Sequence, residues 1–150
     1  MPRVIRKRTI GAPVEEVWKL VSDPYSLPRW WPRAGRVENV EQKSAGRRSQ
    51  WTKVLETAEG RGVRADYRCL SSAENERYVW EQELEGTPFA RHLRSSRVEI
   101  GLRAREQGTQ ISLASVQTLK GMSRMGSPMM RRAQGAILNE ALDGIERALA

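Results

Sequence analysis

The chain contains a single cysteine and a single histidine among its 150 residues. A lone Cys69 excludes an internal disulfide and suits a reducing compartment, so a cytoplasmic location is expected. With His92 as the only imidazole, a zinc site of two or three histidines cannot form, and one thiol cannot build a thiolate cluster. No apolar run approaches the ~20 residues of a membrane-spanning helix. The basic N-terminal stretch (Arg3, Arg6, Lys7, Arg8) lacks the apolar block of a secretory signal before Gly11. Also missing are the Gly-x-Ser-x-Gly elbow, the Walker-type phosphate loop and the Gly-x-Gly-x-x-Gly fingerprint. No metal and no cofactor are therefore expected, and serine-hydrolase chemistry is disfavoured. Internal repeats, low-complexity segments and linkers are absent too.

What the chain has in excess is positive charge. Its net charge is +8 and its pI is near 10.4. Arginine supplies 21 of the 26 cations, and its planar fork suits phosphates and carboxylates better than the lysine point charge. The arginines are scattered, however: Arg29, Arg33 and Arg36; Arg47 and Arg48; Arg91, Arg94 and Arg97; Arg131 and Arg132. On alternating strands that spacing also describes a solvated outer sheet face. A nucleic-acid partner stays open but is not favoured. With 39% hydrophobic and 29% charged residues the composition is that of a globular domain. The length fits one domain, residues 1–150, able to bury roughly 68–70% of its unfolded surface.

Periodicity orders the chain. Arg3 to Ile10 is β-rich and stops at Gly11. Pro13 suits the first helical position, Glu15 and Glu16 favour the positive end of the helix dipole, and Val14, Val17, Trp18 and Val21 form one helical stripe. Asp23-Pro24 ends that helix, and Tyr25 to Trp31 has room for a turn or two of helix. From Gly35 the period becomes two. Val37–Gln42, Ser49–Thr57, Gly62–Ser71, Glu76–Glu85, His92–Arg105 and Ile111–Leu119 read as strands joined by hairpin-length turns, which predicts an antiparallel meander. Ser127 and Pro128 open a final helix reaching Leu149. Its expected inward face is Met130, Ala133, Ile137, Leu138, Ala141, Leu142, Ile145 and Leu149.

This order, together with Ala12-Pro13-Val14-Glu15-Glu16-Val17-Trp18, Asp23-Pro24, Leu27-Pro28-Arg29-Trp30-Trp31-Pro32 and Leu119-Lys120-Gly121, resembles the START-like superfamily, which includes polyketide cyclase/dehydrase-like proteins. The resemblance covers essentially the whole chain. It implies the helix-grip fold, an α+β architecture in which a curved antiparallel sheet of about seven strands wraps a long C-terminal helix. It further implies a hydrophobic small-molecule ligand, lipid, quinone or polyketide-like, held between sheet and helix. Two other activities occur among such proteins, polyketide cyclisation or dehydration and association with RNA or ribosomes, and fold alone does not choose between them.

Candidate lining residues are Trp30, Trp51, Tyr67, Trp80, Phe89, Val98, Ile100, Met129, Ala133 and Ile137. They either line a cavity or pack a dry core. For acid–base chemistry inside an apolar pocket the candidates are His92, Glu81 and Asp66, with Glu83 beside them. A one-residue register slip would move each of these to the other face of the sheet, where the carboxylates would pair with arginines such as Arg64, Arg68 and Arg97. Exposed strand edges would permit a dimer, but nothing in the sequence requires one.

Overall fold

The computed structural model describes residues 3–32, 34–41, 50–56, 62–91, 93–120 and 127–150. Seven strands form one antiparallel sheet: β1 (Arg3–Ile10), β2 (Ala34–Glu41), β3 (Gln50–Glu56), β4 (Gly62–Ala73), β5 (Arg77–Glu83), β6 (Leu93–Arg105) and β7 (Gly108–Leu119). Their spatial order is β1-β7-β6-β5-β4-β3-β2, so β2 to β7 are a meander and β1 returns to pair with β7. Three α-helices accompany the sheet: α1 (Val14–Val21), α2 (Leu27–Trp30) and α3 (Ser127–Ala148). No helix among the described residues is long and apolar enough to cross a membrane.

The helix–strand punctuation follows local chemistry. Pro13 is extended (φ −60°, ψ 150°) and stands just before the helix, one position earlier than the sequence suggests; its carbonyl accepts from Glu16 N and Val17 N. Ser22 closes α1, its hydroxyl donating to the Trp18 carbonyl at 2.6 Å. Asp23 then accepts from Tyr25 N at 3.0 Å and from the Ser26 hydroxyl at 3.3 Å. That side chain takes up backbone donors left orphaned by the sharp turn into α2.

Strand alternation sorts the sheet into two faces. Tyr78, Trp80, Val98, Ile100, Leu102, Ile111 and Leu113 are buried in the core on the inner face. The outer face carries a ladder of alternating charge. Arg68 meets Glu81 at 3.0 Å and Glu83 at 3.4 Å, Arg97 meets Glu99 at 3.0 Å, and Arg3 reaches Glu99 at 3.2 Å. Surface pairs of this kind contribute about 0–1 kcal/mol each; they give Arg3, Arg68 and Arg97 carboxylate partners within the protein.

Helix α3 packs on β1, β7 and α2. Leu138, Ala141, Leu142 and Ile145 are its buried stripe, and Arg8 of β1 ties the helix to the sheet through Asp143 at 2.6 Å and Glu146 at 3.1 Å. The contact with α2 is close. A Cβ on Gly144 would meet the Trp30 carbonyl oxygen and lie 2.8 Å from Trp30 Cα, while Arg29 donates to the Ala148 carbonyl at 3.3 Å. Gly144→Ala should therefore push α2 off α3. The expected loss is about 1–3 kcal/mol, read as a fall in denaturation midpoint; Gly11→Ala, which adds a methyl to open space, should leave the midpoint nearly unchanged.

Candidate functional site

Because α3 covers the β1–β7 side of the sheet, the inner face of β3, β4 and β5 is closed by other groups. Those groups are aromatic. Trp51 stacks on its cross-strand partner Tyr67 (6.0 Å between centroids, 11° between planes). Trp80, opposite Cys69 on β4 and Val98 on β6, meets Trp31 edge-on at 5.4 Å and Trp30 at 6.0 Å. Tyr78 meets Trp18 of α1 at 6.0 Å. Seven rings from two helices and three strands thus converge; offset and edge-to-face pairs are worth ~0.5–1.5 kcal/mol each beyond their burial.

The cluster is not purely apolar. Trp30 Nε1, Trp51 Nε1 and Tyr78 Oη are buried without a hydrogen-bond partner. The Cys69 thiol lies beside the Tyr78 hydroxyl and, after burial, helps push its pKa upward; a thiol is only a weak partner. Burial alone raises the pKa of Tyr67. Lys53 follows Trp51 by two residues on β3, and so shares its face. Its ammonium stands 4.6 Å from the centroid of Tyr67 and 5.0 Å from that of Trp31. The side chain is 3% exposed, and burial lowers its pKa to about 7. Cation–π contact offsets part of the desolvation cost, but a ring face does not replace a hydrogen-bond acceptor.

Toward the N-terminal end of α3 the inner face carries a polar band, beyond which Leu84, Leu93 and Leu119 are buried again with Met130 packed against them. Trp80 and Val98 are buried, whereas the next inward residues on the same strands, Gln82 and Ser96, are half-buried. Gln117 of β7 donates to the Ser96 hydroxyl at 3.2 Å and leaves its own carbonyl oxygen, Oε1, buried and unpartnered. Ser115 donates to Gln134 of α3 at 2.8 Å. The inner face therefore has an aromatic and aliphatic floor with an amide rim. Two open recesses lie elsewhere, outside the sheet; the larger, of about 390 Å³, runs between α2 and α3.

The residues expected from the sequence divide accordingly. Trp30, Trp51, Tyr67, Trp80, Val98 and Ile100 are buried in the core cluster on the inner side, and Ile137 is half-buried on α3. Met129 and Ala133 are exposed. The inward stripe of α3 runs through Met130, Gln134, Leu138, Ala141 and Ile145, and residues 129 and 133 each precede it by one position, about 100° around the helix. Asp66 and Glu81 also face the other way: Asp66 is exposed and accepts from Thr52 at 2.6 Å, and Glu81 pairs with Arg68. In this strand register Thr52 and Arg68 are their cross-strand partners, and both carboxylates lie on the outer face, away from the interior expected from the sequence. His92 lies outside the described residues, and of Phe89 only the backbone, in the short 3-10 turn Pro88–Arg91, is described. Sequence reasoning missed Lys53, Tyr78, Gln117 and Gln134. Period two from an inward Trp51 would have reached Lys53.

Lys53 gives a pH signature with a definite sign. Its folded pKa of about 7 lies below the ordinary 10.5, so between those values the unfolded chain binds the additional proton and stability rises with pH. Below pH 7 both states are protonated and the term is flat. Chemical-denaturation midpoints should climb from pH 7 toward pH 10, at no more than about 1.4 kcal/mol per pH unit. The climb should be absent in Lys53→Met, and the raised tyrosine pKa values should reverse the trend only above pH 10.

Among curated proteins none matches the chain in sequence. Solved structures match it over nearly its whole length. A START superfamily protein from Mycobacterium smegmatis is 17% identical with a TM-score of 0.78, covering 98% of this chain and 96% of its own. A protein from Thermus thermophilus is 19% identical with a TM-score of 0.76, over 99% of this chain and 97% of its own. The di-domain ARO/CYC StfQ from the steffimycin biosynthetic pathway is 12% identical with a TM-score of 0.80; the match covers 99% of this chain and 50% of that one. At these identities the likeness shows the fold, which is the helix-grip arrangement of the START-like superfamily. The family model for polyketide cyclase / dehydrase and lipid transport matches residues 1–150, and the chain belongs to that family.

Proposed function

We propose that this protein binds a planar, largely apolar small molecule on the inner face of the sheet, its body against Trp51, Tyr67, Trp80 and Val98 and its polar edge toward the amide rim. The observation that carries the reading is the change along β5, β6 and β7 from a buried floor to half-buried, inward-facing Gln82, Ser96 and Gln117. A dry, filled core would have no use for an unpartnered carbonyl oxygen at that level, because each unsatisfied polar group costs about 1–3 kcal/mol. Apolar walls with a few placed polar groups are the usual composition of a small-molecule site. Membership of a family that joins polyketide cyclases and dehydrases with lipid transport supports the same class of guest. A cyclase working through Asp66 or Glu81 is not supported, since both carboxylates face outward.

The neutral probe N-phenyl-1-naphthylamine tests the reading. Its fluorescence should rise and shift to the blue on binding, and extracted lipids or aromatic polyketides should displace it. Ser96→Trp places a large ring in the proposed space and should weaken probe binding at least tenfold. The outer-face change Arg97→Ala should leave binding within twofold. Absence of saturable probe binding by the unmodified protein would refute the proposal.

A further inference from the structure

We propose that Lys53 is the group that selects the guest, and that the guest class is an aromatic acid: a planar molecule bearing a carboxylate, acidic phenol or enol that pairs with the Lys53 ammonium. The inference rests on the inner-face binding reading and narrows its ligand. Lys53 is the one charged residue among the described buried positions. The described groups around it are Trp31 at the end of α2, the register partners Val37 from β2 and Ala65 from β4, Tyr67 from β4, and Trp51 on its own strand. No carboxylate is among these described groups. Tyr67 alone of these could titrate, and burial pushes its phenol upward, so it stays neutral wherever Lys53 changes charge.

The unpartnered atoms nearby point the same way. An indole N–H donates only, a phenol can donate, and an ammonium carries three donors and no acceptor. Trp30 Nε1 and Trp51 Nε1 are without a hydrogen-bond partner, the Tyr78 hydroxyl has the Cys69 thiol beside it, and their rings join the aromatic cluster whose Trp31 and Tyr67 faces flank Lys53. The unpartnered indole N–H groups are donors, whereas the unpartnered acceptor Gln117 Oε1 belongs to the rim; such an arrangement fits a guest whose acceptors face the lysine end. Replacing a buried, unpaired charge by an apolar side chain of similar volume commonly stabilises a protein; here the cation is retained where methionine or leucine would pack. An anionic guest completes the pair, and the low dielectric that penalises the lone ammonium strengthens its pairing with an anion. Depression of the lysine pKa to about 7 adds a corollary. An acid bound above neutral pH must bring the lysine its proton, so affinity for acids falls as the solution becomes alkaline.

Two fluorophores with the same rings provide the test: neutral N-phenyl-1-naphthylamine and its sulfonated counterpart 8-anilinonaphthalene-1-sulfonate. At pH 6.5 the protein should bind the sulfonate at least tenfold more tightly than the neutral probe. Between pH 6.5 and pH 9 the sulfonate should weaken at least tenfold while the neutral probe stays within twofold, a measurement that needs no variant. In Lys53→Met the sulfonate preference and its pH dependence should both disappear, with neutral-probe affinity kept and the denaturation midpoint at or above that of the parent. Binding of both probes with no sulfonate preference, or a preference that survives Lys53→Met and so belongs to surface arginines, overturns the inference and leaves the binding reading standing. Binding of neither probe overturns both.

Discussion

A helix of 22 residues cannot cover the inner face of a seven-stranded sheet, and the arrangement of the rest of the protein follows from that shortfall. Helix α3 lies on β1, β7 and the short α2, with Leu138, Ala141, Leu142 and Ile145 forming the dry seam. The inner face of β3 to β5 is left to side chains from α1 and α2, which is why Trp18, Trp30 and Trp31 meet Trp51, Tyr67, Tyr78 and Trp80 there. Gly144 lets α2 come close enough to α3 for one short helix to serve both regions. Hydrophobic burial holds the seam, and aromatic geometry shapes the half that the helix does not reach.

The two faces of the sheet solve the charge problem differently. Outside, arginine and glutamate alternate across strands in solvent, where water screens them and each pair matters little. Inside, a single ammonium is held between ring faces. The same β-strand alternation produces both, since Thr52 and Asp66 point out where Trp51, Lys53 and Tyr67 point in. Among the described residues, Lys53 is thus the one charge removed from water, while the outer-face pairs stay partly solvated.

Much of the architecture is legible in the sequence because it depends on local periodicity. The stripe Val14, Val17, Trp18, Val21 yields α1 within its observed bounds, and the alternation Val98, Ile100, Leu102 assigns β6 its inward face. Asp23-Pro24 marks the break that separates α1 from α2. The site is less legible because it depends on register between strands. Alternation tells which residues of one strand share a face, not which face is inside, so Asp66 and Glu81 could be placed either way until pairing with Thr52 and Arg68 is seen. Lys53 and Gln134 escaped for another reason: the expected lining contains only apolar and aromatic residues, whereas both of these polar residues lie on inward stripes. Met129 and Ala133 show the converse error, apolar residues read as inward at the margin of a stripe.

The crowding of indoles also makes the protein an optical object. Trp30, Trp31, Trp51 and Trp80 lie with ring centroids 5.4–6.1 Å apart where they touch, close enough for their electronic transitions to mix and for excitation to pass among them. Fixed in a chiral packing, such a group generates strong near-ultraviolet dichroism that collapses when side-chain packing loosens, even if the strands persist. The interior thereby reports its own order, and loss of tertiary fit can be followed separately from loss of backbone structure without attaching any dye.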